Sequence, residues 1–281
     1  MMIHFKGSPL NLAGRIIRVG SAAPPFRVIS QDLKEITIDD FKGKVKILTS
    51  FPSLDTPVCD MQVKEFNKRA IGLSKDLVII GISKDLPFAQ ARFCHDNDIK
   101  NISVFSDYRF SSFGLNYGLL IKELNLLARS VIIADKNDSV RYIQVVDELT
   151  TPPDYDDLLA NLKDVLRNPA GSMKEVERSR CKPCELGAAP LARRDIDKLL
   201  AQSPGWQLIE DKKISKEFKF KDFAGGKYFV DAVSVIAEDQ GHHPTMTIAY
   251  NKVKIALTTH AAGGLTENDF IMAKIIDDIM Q

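Results

Sequence analysis

The sequence predicts an α/β domain followed by an α+β domain, and three observations lead to this prediction. The chain has 281 residues, which is more than one hydrophobic core usually accommodates. In its first part, short apolar runs alternate with helical patterns, as in a sheet that helices cover on both faces. In its last part, the predicted strands come in consecutive pairs between helices, which is typical of an antiparallel sheet with helices on one face.

The first domain contains short apolar segments that are typical of buried strands. Such strands are predicted over Val45–Phe51, Leu77–Ser83, Ser130–Asp135 and Val140–Val146. Helical spacing predicts helices over Pro57–Ala70, Pro87–Asn97 and Asp154–Leu166. Near the start, Ile3–Phe5 and Arg15–Val19 flank the turn-rich segment Gly7–Gly14 and are predicted to form a small hairpin.

The second domain is predicted to follow the order α-β-β-α-β-β-α. Its helices are predicted over Leu191–Ala201, Asp222–Glu238 and Thr266–Met280, and its strands over Gln207–Glu210, Ile214–Phe220, Met246–Tyr250 and Val253–Thr259. One side of the middle helix should carry its apolar residues, namely Phe223, Phe229, Val230, Val233 and Ile236.

A segment of Asn, Pro, Ala, Gly and Ser at positions 168–172 separates the two patterns and has the composition of a linker. The predicted boundaries are residues 1–168 for the first domain, 169–173 for the linker and 174–281 for the second domain. The run Gly171-Ser172-Met173 is compatible both with a natural gene fusion and with an engineered tandem.

The composition excludes several classes of protein. Hydrophobic residues make up 44% and charged residues 27%, which is the balance of a globular protein rather than a disordered one. Lys and Arg number 38 against 37 Asp and Glu, and this balance argues against a nucleic-acid partner. No apolar run approaches the roughly 18–20 residues of a membrane span, and the first residues lack the apolar centre of a signal peptide, so we expect a cytoplasmic protein without a membrane partner.

Cys59 is predicted to lie where a helix begins. Thr56 suits the N-cap and Pro57 the first helical position, so Cys59 falls in the first turn. The unpaired N–H groups and the helix dipole in this turn favour a thiolate over a thiol. The alternative interpretation is that Cys59 is a buried structural cysteine. Thr56 stands where a Cys-x-x-Cys motif would carry its first thiol, which favours a nucleophile that attacks an O–O bond over dithiol exchange.

The pattern Pro52-x-x-x-Thr56-x-x-Cys59 resembles the active site of the peroxiredoxins. Residues 1–168 resemble the bacterial thiol peroxidase branch, an atypical 2-Cys type, and the further matching segments are Ile3–Pro9, Arg92–Cys94 and Leu126–Ser130. The resemblance implies a thioredoxin-like fold. It also implies that Cys59 is the peroxidatic nucleophile, that Pro52 lines the substrate site, and that Thr56 and Arg129 orient the peroxide and hold the thiolate.

The same resemblance implies that Cys94 condenses with the Cys59 sulfenic acid to form a disulfide. Hydroperoxides would be the substrates and thioredoxin the reductant, with no tightly bound cofactor. From the residues alone, a lone cysteine such as Cys94 is more often a core residue of a helix, and an arginine ahead of a strand, such as Arg129, is usually a surface or ion-pair residue. A disulfide between cysteines on separate helices would require local unwinding around one of them.

Three of the five histidines lie within residues 242–260 of the second domain. His242 and His243 follow the end of the predicted middle helix, and His260 follows a predicted strand. Imidazoles titrate near neutral pH, so such a cluster suits proton transfer in both directions. Two alternatives remain, a zinc site, for which no matching ligand spacing is present, and surface histidines without a role.

Residues 174–281 resemble the pterin-4a-carbinolamine dehydratases, through the matching residues Glu238, His242, His243, Pro244, Tyr250, His260 and Asp269. The resemblance implies that His242 and His260 move protons as 4a-hydroxytetrahydrobiopterin loses water to give quinonoid dihydropterin. His243 and Pro244 would help bind the pterin, Glu238 and Asp269 would orient the site, and no metal would take part. Gly241 and Met246 depart from some family members, which have an acidic and an aromatic residue there.

The implied partners of the second domain are a pterin 4a-carbinolamine and the aromatic amino-acid hydroxylase pathway, and a homo-oligomer, dimeric or larger, is expected. Cys181 and Cys184 form a single Cys-x-x-Cys, which could be half of a zinc site, a redox pair or an inert pair; without a second pair, the inert interpretation is favoured. The sequence thus predicts a bifunctional peroxidase and dehydratase. The alternative is a peroxide-sensing redox relay whose last domain serves as an oligomerisation or interaction module.

Overall fold

The computed structural model describes residues 2–70, 74–169, 181 and 189–279. The chain divides into two compact units, Met1–Arg178 and Ser179–Gln281, which are called the first and the second unit below. Residues 170–173 of the predicted linker lie outside the described residues, and so does Cys184. The predicted domain boundaries therefore stay a prediction.

In the described part of the first unit, strands and helices alternate from β5 to α3, and four strands then precede α4. Its elements are β1 Met2–Phe5, β2 Ser8–Ala13, β3 Arg27–Ile29, β4 Glu35–Thr37, β5 Val45–Ser50, α1 Pro57–Arg69, β6 Leu77–Ser83, α2 Pro87–Asp96, β7 Ser103–Ser106, α3 Ser112–Asn116, β8 Leu120–Ile121, β9 Leu126–Leu127, β10 Ser130–Ala134, β11 Val140–Val145 and α4 Tyr155–Arg167.

A mixed sheet lies at the centre of the first unit, and its described strands follow the order β11-β10-β5-β6-β7-β3-β4. The neighbours β5, β6 and β7 are parallel, whereas β10 pairs antiparallel with both β5 and β11. Both β5 and β10 are buried at every position, as expected for strands that are covered on both faces. The predicted α/β class is confirmed, with an antiparallel part beside the parallel strands.

One hydrophobic core joins this sheet to three of its helices. It includes Phe66 of α1, Cys94 of α2 and Leu162 of α4, packed with side chains of the strands such as Ile47 and Val131. Cys59 of α1 belongs to the same core. The two candidate redox cysteines thus share an apolar environment although they lie on different helices.

The predicted hairpin near the start is wrong in its second strand. Lys6 and Gly7 both have positive φ, 50° and 79°, and this tight turn places Phe5 opposite Ser8. The segment that the sequence indicates as turn-rich is therefore largely the strand β2, which continues into a sheet of order β1-β2-β8-β9 within the described residues. Only Leu10 and Leu12 of β2 are buried, so the alternation of buried and exposed residues in this strand is short. The segment Arg15–Val19 forms no strand.

The described part of the second unit has helices and strands in the order α-β-β-α-β-β-α, as the sequence predicts. Its elements are α5 Arg193–Ala201, β12 Gln207–Ile209, β13 Lys213–Lys219, α6 Phe223–Gln240, β14 Thr245–Ala249, β15 Lys252–Leu257 and α7 Glu267–Ile279, with a short 3-10 turn over His260–Ala262. The strands form an antiparallel sheet of order β12-β13-β15-β14. The α+β class is confirmed.

The core of the second unit lies between this sheet and its helices. From α6 it takes Phe229, Val233 and Ile236, and Val230 packs against it while partly buried. Phe223 was expected on the same side, but it is 51% exposed because the buried part of α6 begins one turn later, at Gly226. None of the described helices is both long and apolar enough to cross a membrane.

Candidate active sites

Helix α1 begins as the sequence predicts, with Thr56 at the N-cap and Pro57 at the first helical position. The Thr56 carbonyl accepts hydrogen bonds from the backbone N–H of Cys59 at 3.1 Å and of Asp60 at 3.0 Å. Cys59 is fully buried in this first turn. The Thr56 side chain, however, makes no capping hydrogen bond; it is exposed, and its hydroxyl donates to the Ser53 carbonyl at 3.1 Å.

Arg129 is a buried residue rather than a surface arginine, with only 1% of its area exposed. Its Nη2 lies 3.4 Å from the Cys59 sulfur, which excludes the interpretation of Arg129 as a surface residue. The same Nη2 donates to the Leu149 carbonyl at 2.8 Å, and Nε donates to it at 3.3 Å. Arginine remains charged in proteins, so the site holds a fixed positive charge against the sulfur.

Gln62, which the sequence patterns do not indicate, binds the other side of the guanidinium. Its Oε1 accepts a hydrogen bond from Arg129 Nη1. Its Nε2 donates to Thr49 Oγ1 at 2.7 Å and to the Ser50 carbonyl at 3.4 Å, which anchors the carboxamide to β5. Gln62 follows Cys59 by one helical turn, and this spacing on one helix face is the signal that could have identified it.

A tyrosine of α4 lies in the field of the same guanidinium. Burial and the nearby Glu65 carboxylate raise the pKa of Tyr155 to about 12, and the charges of Arg129 and Arg69 act in the opposite direction. The Tyr155 ring packs edge-on against Phe66 of α1 at 5.7 Å between ring centres. Its phenol is therefore neutral at physiological pH and serves in packing rather than as an anionic base.

Cys94 lies in α2, is 9% exposed and is a free thiol, as is Cys59. Burial raises the pKa of the Cys94 thiol, while a hydrogen bond from Gln31 Nε2 at 3.3 Å acts in the opposite direction. A buried thiol with a raised pKa is a poor nucleophile in the closed fold, because the thiolate is the reactive form.

The segment between β5 and α1 is held by a carboxylate from another loop. Pro52 is buried at the start of this segment. The next two residues, Ser53 and Leu54, both donate to Asp85, through Ser53 Oγ at 2.6 Å and the Leu54 N–H at 2.8 Å. Asp85 is a further residue of this region that the sequence analysis did not identify.

In the second unit, the end of α6 delivers His242 to a buried position. Gly241 takes the left-handed conformation with φ 62°, and the His242 N–H donates to the Ala237 carbonyl at 3.1 Å, which closes the helix end. The His242 residue is 4% exposed, and its Nε2 lies 2.8 Å from Oδ1 of Asp269 in α7. The structure thus brings together two of the predicted site residues.

The Asp269 carboxylate is fully buried and receives further donors. Its Oδ2 accepts hydrogen bonds from Thr259 Oγ1 at 2.9 Å and from the Thr266 N–H at 2.8 Å. Because the carboxylate acts as an acceptor throughout, Nε2 of the neutral His242 ring carries the proton. The Nδ1 of His242 is then left with a lone pair that can accept a proton.

The other two histidines are exposed and make different contacts. His243 Nε2 lies 3.0 Å from Oε2 of Glu238, and both side chains are more than half exposed. His260 follows β15, as predicted, and begins the 3-10 turn after Thr259, where it is exposed. Pro244 is partly buried and directly precedes β14.

Within the described ranges, no group of three or more His, Cys, Asp or Glu side chains could hold a metal ion. Cys181 is partly buried; its N–H donates to Gln240 Oε1 at 2.9 Å, and its sulfur lies 3.7 Å from the Asn268 carbonyl. The second cysteine of the Cys-x-x-Cys motif, Cys184, lies outside the described residues.

In comparison with known proteins, the two units match different families. The redoxin family matches residues 18–159, and the pterin 4 alpha carbinolamine dehydratase family matches residues 189–279. A thiol peroxidase from Halalkalibacterium halodurans is 43% identical over 164 residues, which cover 58% of this chain and 98% of that protein. A thiol peroxidase from Bacillus subtilis is 47% identical over 154 residues, covering 55% of this chain and 92% of that protein.

Among solved structures, a peroxiredoxin-like protein from Aquifex aeolicus is 38% identical to the matched part of the chain. The match covers 58% of this chain and 96% of that protein, with a TM-score of 0.55. The part of the chain that matches the redoxin family, residues 18–159, contains Cys59, Cys94 and Arg129.

Proposed function

Since the chain belongs to the redoxin family and carries a pterin 4 alpha carbinolamine dehydratase domain, we propose that it is a bifunctional enzyme. Its first unit reduces hydrogen peroxide and organic hydroperoxides, and its second unit dehydrates a pterin 4a-carbinolamine. The contact of 3.4 Å between the Arg129 guanidinium and the Cys59 sulfur is the observation that carries the peroxidase half.

In the first step, the Cys59 thiolate attacks the terminal oxygen of the hydroperoxide and the O–O bond breaks. The oxygen stays on sulfur as a sulfenic acid, and the remaining alkoxide or hydroxide takes a proton and leaves as alcohol or water. Charge develops on both oxygens during this step, and the fixed positive charge of Arg129 stabilises it. The Thr56 hydroxyl orients the peroxide by exchanging its bond to the Ser53 carbonyl for one to a peroxide oxygen.

In the second step, the Cys94 thiolate attacks the sulfur of the Cys59 sulfenic acid. An S–S bond forms, the S–O bond breaks, and the hydroxyl leaves as water after taking a proton. Because both cysteines are buried on different helices, a local opening of α1 or α2 precedes this step. The dithiol of thioredoxin then reduces the disulfide and returns both cysteines to thiols.

In the second unit, the buried pair of His242 and Asp269 supports acid–base chemistry on the pterin. Dehydration of 4a-hydroxytetrahydrobiopterin breaks the C4a–O bond: the hydroxyl takes a proton and leaves as water, while a ring N–H loses a proton. His242 Nδ1 is suited to accept that proton, because Asp269 keeps the ring in the required tautomer. His260 gives the proton to the leaving hydroxyl, and His243, Pro244 and Glu238 bind the pterin.

Two assays on the intact chain test this proposal. The first measures NADPH oxidation with thioredoxin reductase, thioredoxin and a hydroperoxide, and we expect many turnovers per chain. The second follows the absorbance change as a pterin 4a-carbinolamine loses water, with its uncatalysed rate subtracted. A single peroxide turnover per chain would contradict the peroxidase and favour a redox relay, and an unchanged dehydration rate would contradict the dehydratase and favour an interaction module.

A further inference from the structure

Asp85 connects two segments that carry the candidate peroxidase residues. Its Oδ1 accepts a hydrogen bond from Ser53 Oγ at 2.6 Å, and its Oδ2 accepts one from the Leu54 N–H at 2.8 Å. These donors belong to the segment between β5 and α1. A third donor, Ser83 Oγ at 2.7 Å, lies at the end of β6 and shares Oδ2.

On one side, these bonds support Thr56. The Ser53 carbonyl accepts the Thr56 N–H and the Thr56 hydroxyl, each at 3.1 Å. The Asp85 carboxylate fixes Ser53 through its side chain, and therefore fixes the group to which Thr56 is bonded. A displacement of Ser53 would move Thr56, and with it the start of α1 that carries Cys59.

On the other side, Asp85 supports the helix of Cys94. Asp85 lies directly before Leu86, the N-cap of α2. Ser83 Oγ also accepts a hydrogen bond at 3.0 Å from Nε2 of Gln90, a fully buried residue one turn before Cys94. The carboxylate thus reaches the first half of α2 through Ser83 as well as through the backbone.

We propose that Asp85 is a positioning residue that ties the peroxide-binding segment to the start of the Cys94 helix. The inference rests on the proposed peroxidase function. With the tie intact, Thr56 and Cys59 are held for the attack on peroxide. These hydrogen bonds join the segment before α1 to the start of α2, so they have to break when either helix opens for disulfide formation. Asp85 therefore favours the first chemical step and slows the second.

An asparagine cannot replace this carboxylate. The carboxylate offers two acceptor oxygens to three donors, whereas a carboxamide offers one acceptor oxygen and presents its NH2 group to the remaining donors. In Asp85→Asn, either the Ser53 hydroxyl or the Leu54 N–H therefore loses its acceptor. The substitution removes charge and bonding at nearly constant volume.

The test measures the two steps separately by rapid quenching and mass spectrometry. In a Cys94→Ser background, we expect Asp85→Asn to slow oxidation of Cys59 by hydrogen peroxide about tenfold, because small displacements in a positioned site have effects of this size or larger. With Cys94 present, we expect disulfide formation to become at least about threefold faster, the factor that corresponds to weakening one hydrogen bond.

The matched control is Asp135→Asn, at the turn between β10 and β11. Asp135 likewise accepts three hydrogen bonds, from the N–H groups of Asn137 at 2.9 Å and Ser139 at 3.0 Å and from Arg141 Nη1 at 3.2 Å. None of these partners belongs to the Ser53 segment or to α2. We expect this variant to change neither rate. A general loss of stability would change both rates alike in Asp85→Asn and Asp135→Asn. Loss of the Asp85 hydrogen bonds would instead slow Cys59 oxidation and speed disulfide formation, and only in Asp85→Asn.

Ser53→Ala provides a second variant in case Asp85→Asn does not fold. It removes one bond of the tie, and we expect oxidation of Cys59 to slow at least about threefold. Unchanged oxidation rates in the variants that fold, or equal changes in Asp85→Asn and Asp135→Asn, would overturn the inference. If the parent Cys94→Ser chain itself is not oxidised by peroxide, the peroxidase proposal fails instead.

Discussion

The guanidinium of Arg129 lies between the Cys59 sulfur, 3.4 Å from Nη2, and the carboxamide of Gln62, which accepts from Nη1. Cys59 and Gln62 are on one helix, whereas Arg129 directly precedes β10. The helix therefore supplies both the sulfur and the group that aims a positive charge at it. A substitution of Gln62 therefore tests whether this arrangement is needed for the reaction of Cys59.

We expect Gln62→Leu to slow oxidation of Cys59 by hydrogen peroxide about tenfold, because Arg129 loses the acceptor that fixes its direction. The measurement is the second-order rate constant in a Cys94→Ser background, together with the free energy of unfolding. The buried Arg129 Nη1 would lose its partner, which should cost about 1–3 kcal/mol of stability.

Gln144→Leu is the control for Gln62→Leu. Gln144 makes comparable side-chain bonds, to the Tyr142 hydroxyl at 2.8 Å and from the Asp154 N–H at 2.9 Å, away from Cys59. Equal oxidation rates in Gln62→Leu and in the parent chain would mean that Leu149 alone is sufficient to hold Arg129.

Substitutions of the two cysteines should separate the two steps of the peroxidase. We expect Cys59→Ser to abolish peroxide consumption, since it removes the nucleophile. Cys94→Ser should permit one fast turnover and leave a Cys59 sulfenic acid that a dimedone-type reagent labels. The labelled residue is identified by mass spectrometry. Steady-state peroxide turnover in Cys59→Ser would rule out its role.

Disulfide formation should depend on pH through the Cys94 thiol. Burial raises its pKa in the folded chain above the ordinary value, so the neutral thiol stabilises the closed fold at low pH. This stability is present below the ordinary thiol pKa and is lost as the pH rises through the raised one. We therefore expect the first-order rate of disulfide formation to rise across this pH window.

The Gln31 side chain is the specific control for this pH dependence. Its hydrogen bond acts to lower the pKa of Cys94, so Gln31→Leu should move the rise in rate to higher pH. Rapid mixing of peroxide-oxidised chain over a series of buffers measures the profile. A profile that is identical in Gln31→Leu would show that the environment of Cys94 in the closed fold does not control this step.

Features that depend on neighbouring residues could be predicted from the sequence. Thr56, Pro57 and Cys59 lie within one turn of a helix, so local capping rules place the cysteine correctly. The buried strand β5 was predicted from its own apolar run. Strands as short as β8 and β9, with two residues each, carry no periodicity and could not be found in this way.

Contacts between distant segments could not be predicted from these patterns. Asp85 meets Ser53 across 32 positions of the sequence, and Arg129 meets Gln62 across 67. Their pairing depends on which strands are neighbours in the sheet, and apolar patterns do not specify this order. The family resemblance indicates both His242 and Asp269, which are 27 positions apart, but only the folded structure shows that they are in contact.

The predicted domain boundaries can be tested by division of the chain. If the two units are independent cores, residues 1–168 and 173–281 should each fold when expressed alone and keep their own activity. Circular dichroism and the two assays described above provide the measurement. Loss of either activity on separation, with full activity in the intact chain, would mean that the units depend on one another.

The last prediction concerns the buried pair of the second unit. Asp269 accepts from His242 Nε2, from Thr259 Oγ1 and from the Thr266 N–H, so it fixes the tautomer of His242 and keeps Nδ1 free to accept a proton. We expect His242→Ala to lower kcat for dehydration by about 10²-fold or more, which is typical for loss of a positioned proton acceptor. Thr259→Val should lower kcat less, since it removes one of the donors that orient Asp269.

The exposed histidines should respond differently from His242. His243→Ala should mainly raise KM, because its role is in binding, whereas His260→Ala should lower kcat. Peroxide turnover should be unchanged in all these variants, because Cys59 and Arg129 lie in the other unit. A chelator should leave dehydration unchanged, because no metal is proposed. Wild-type kcat in His242→Ala would exclude the pair with Asp269 from catalysis, since the buried imidazole would then serve only to join α6 to α7.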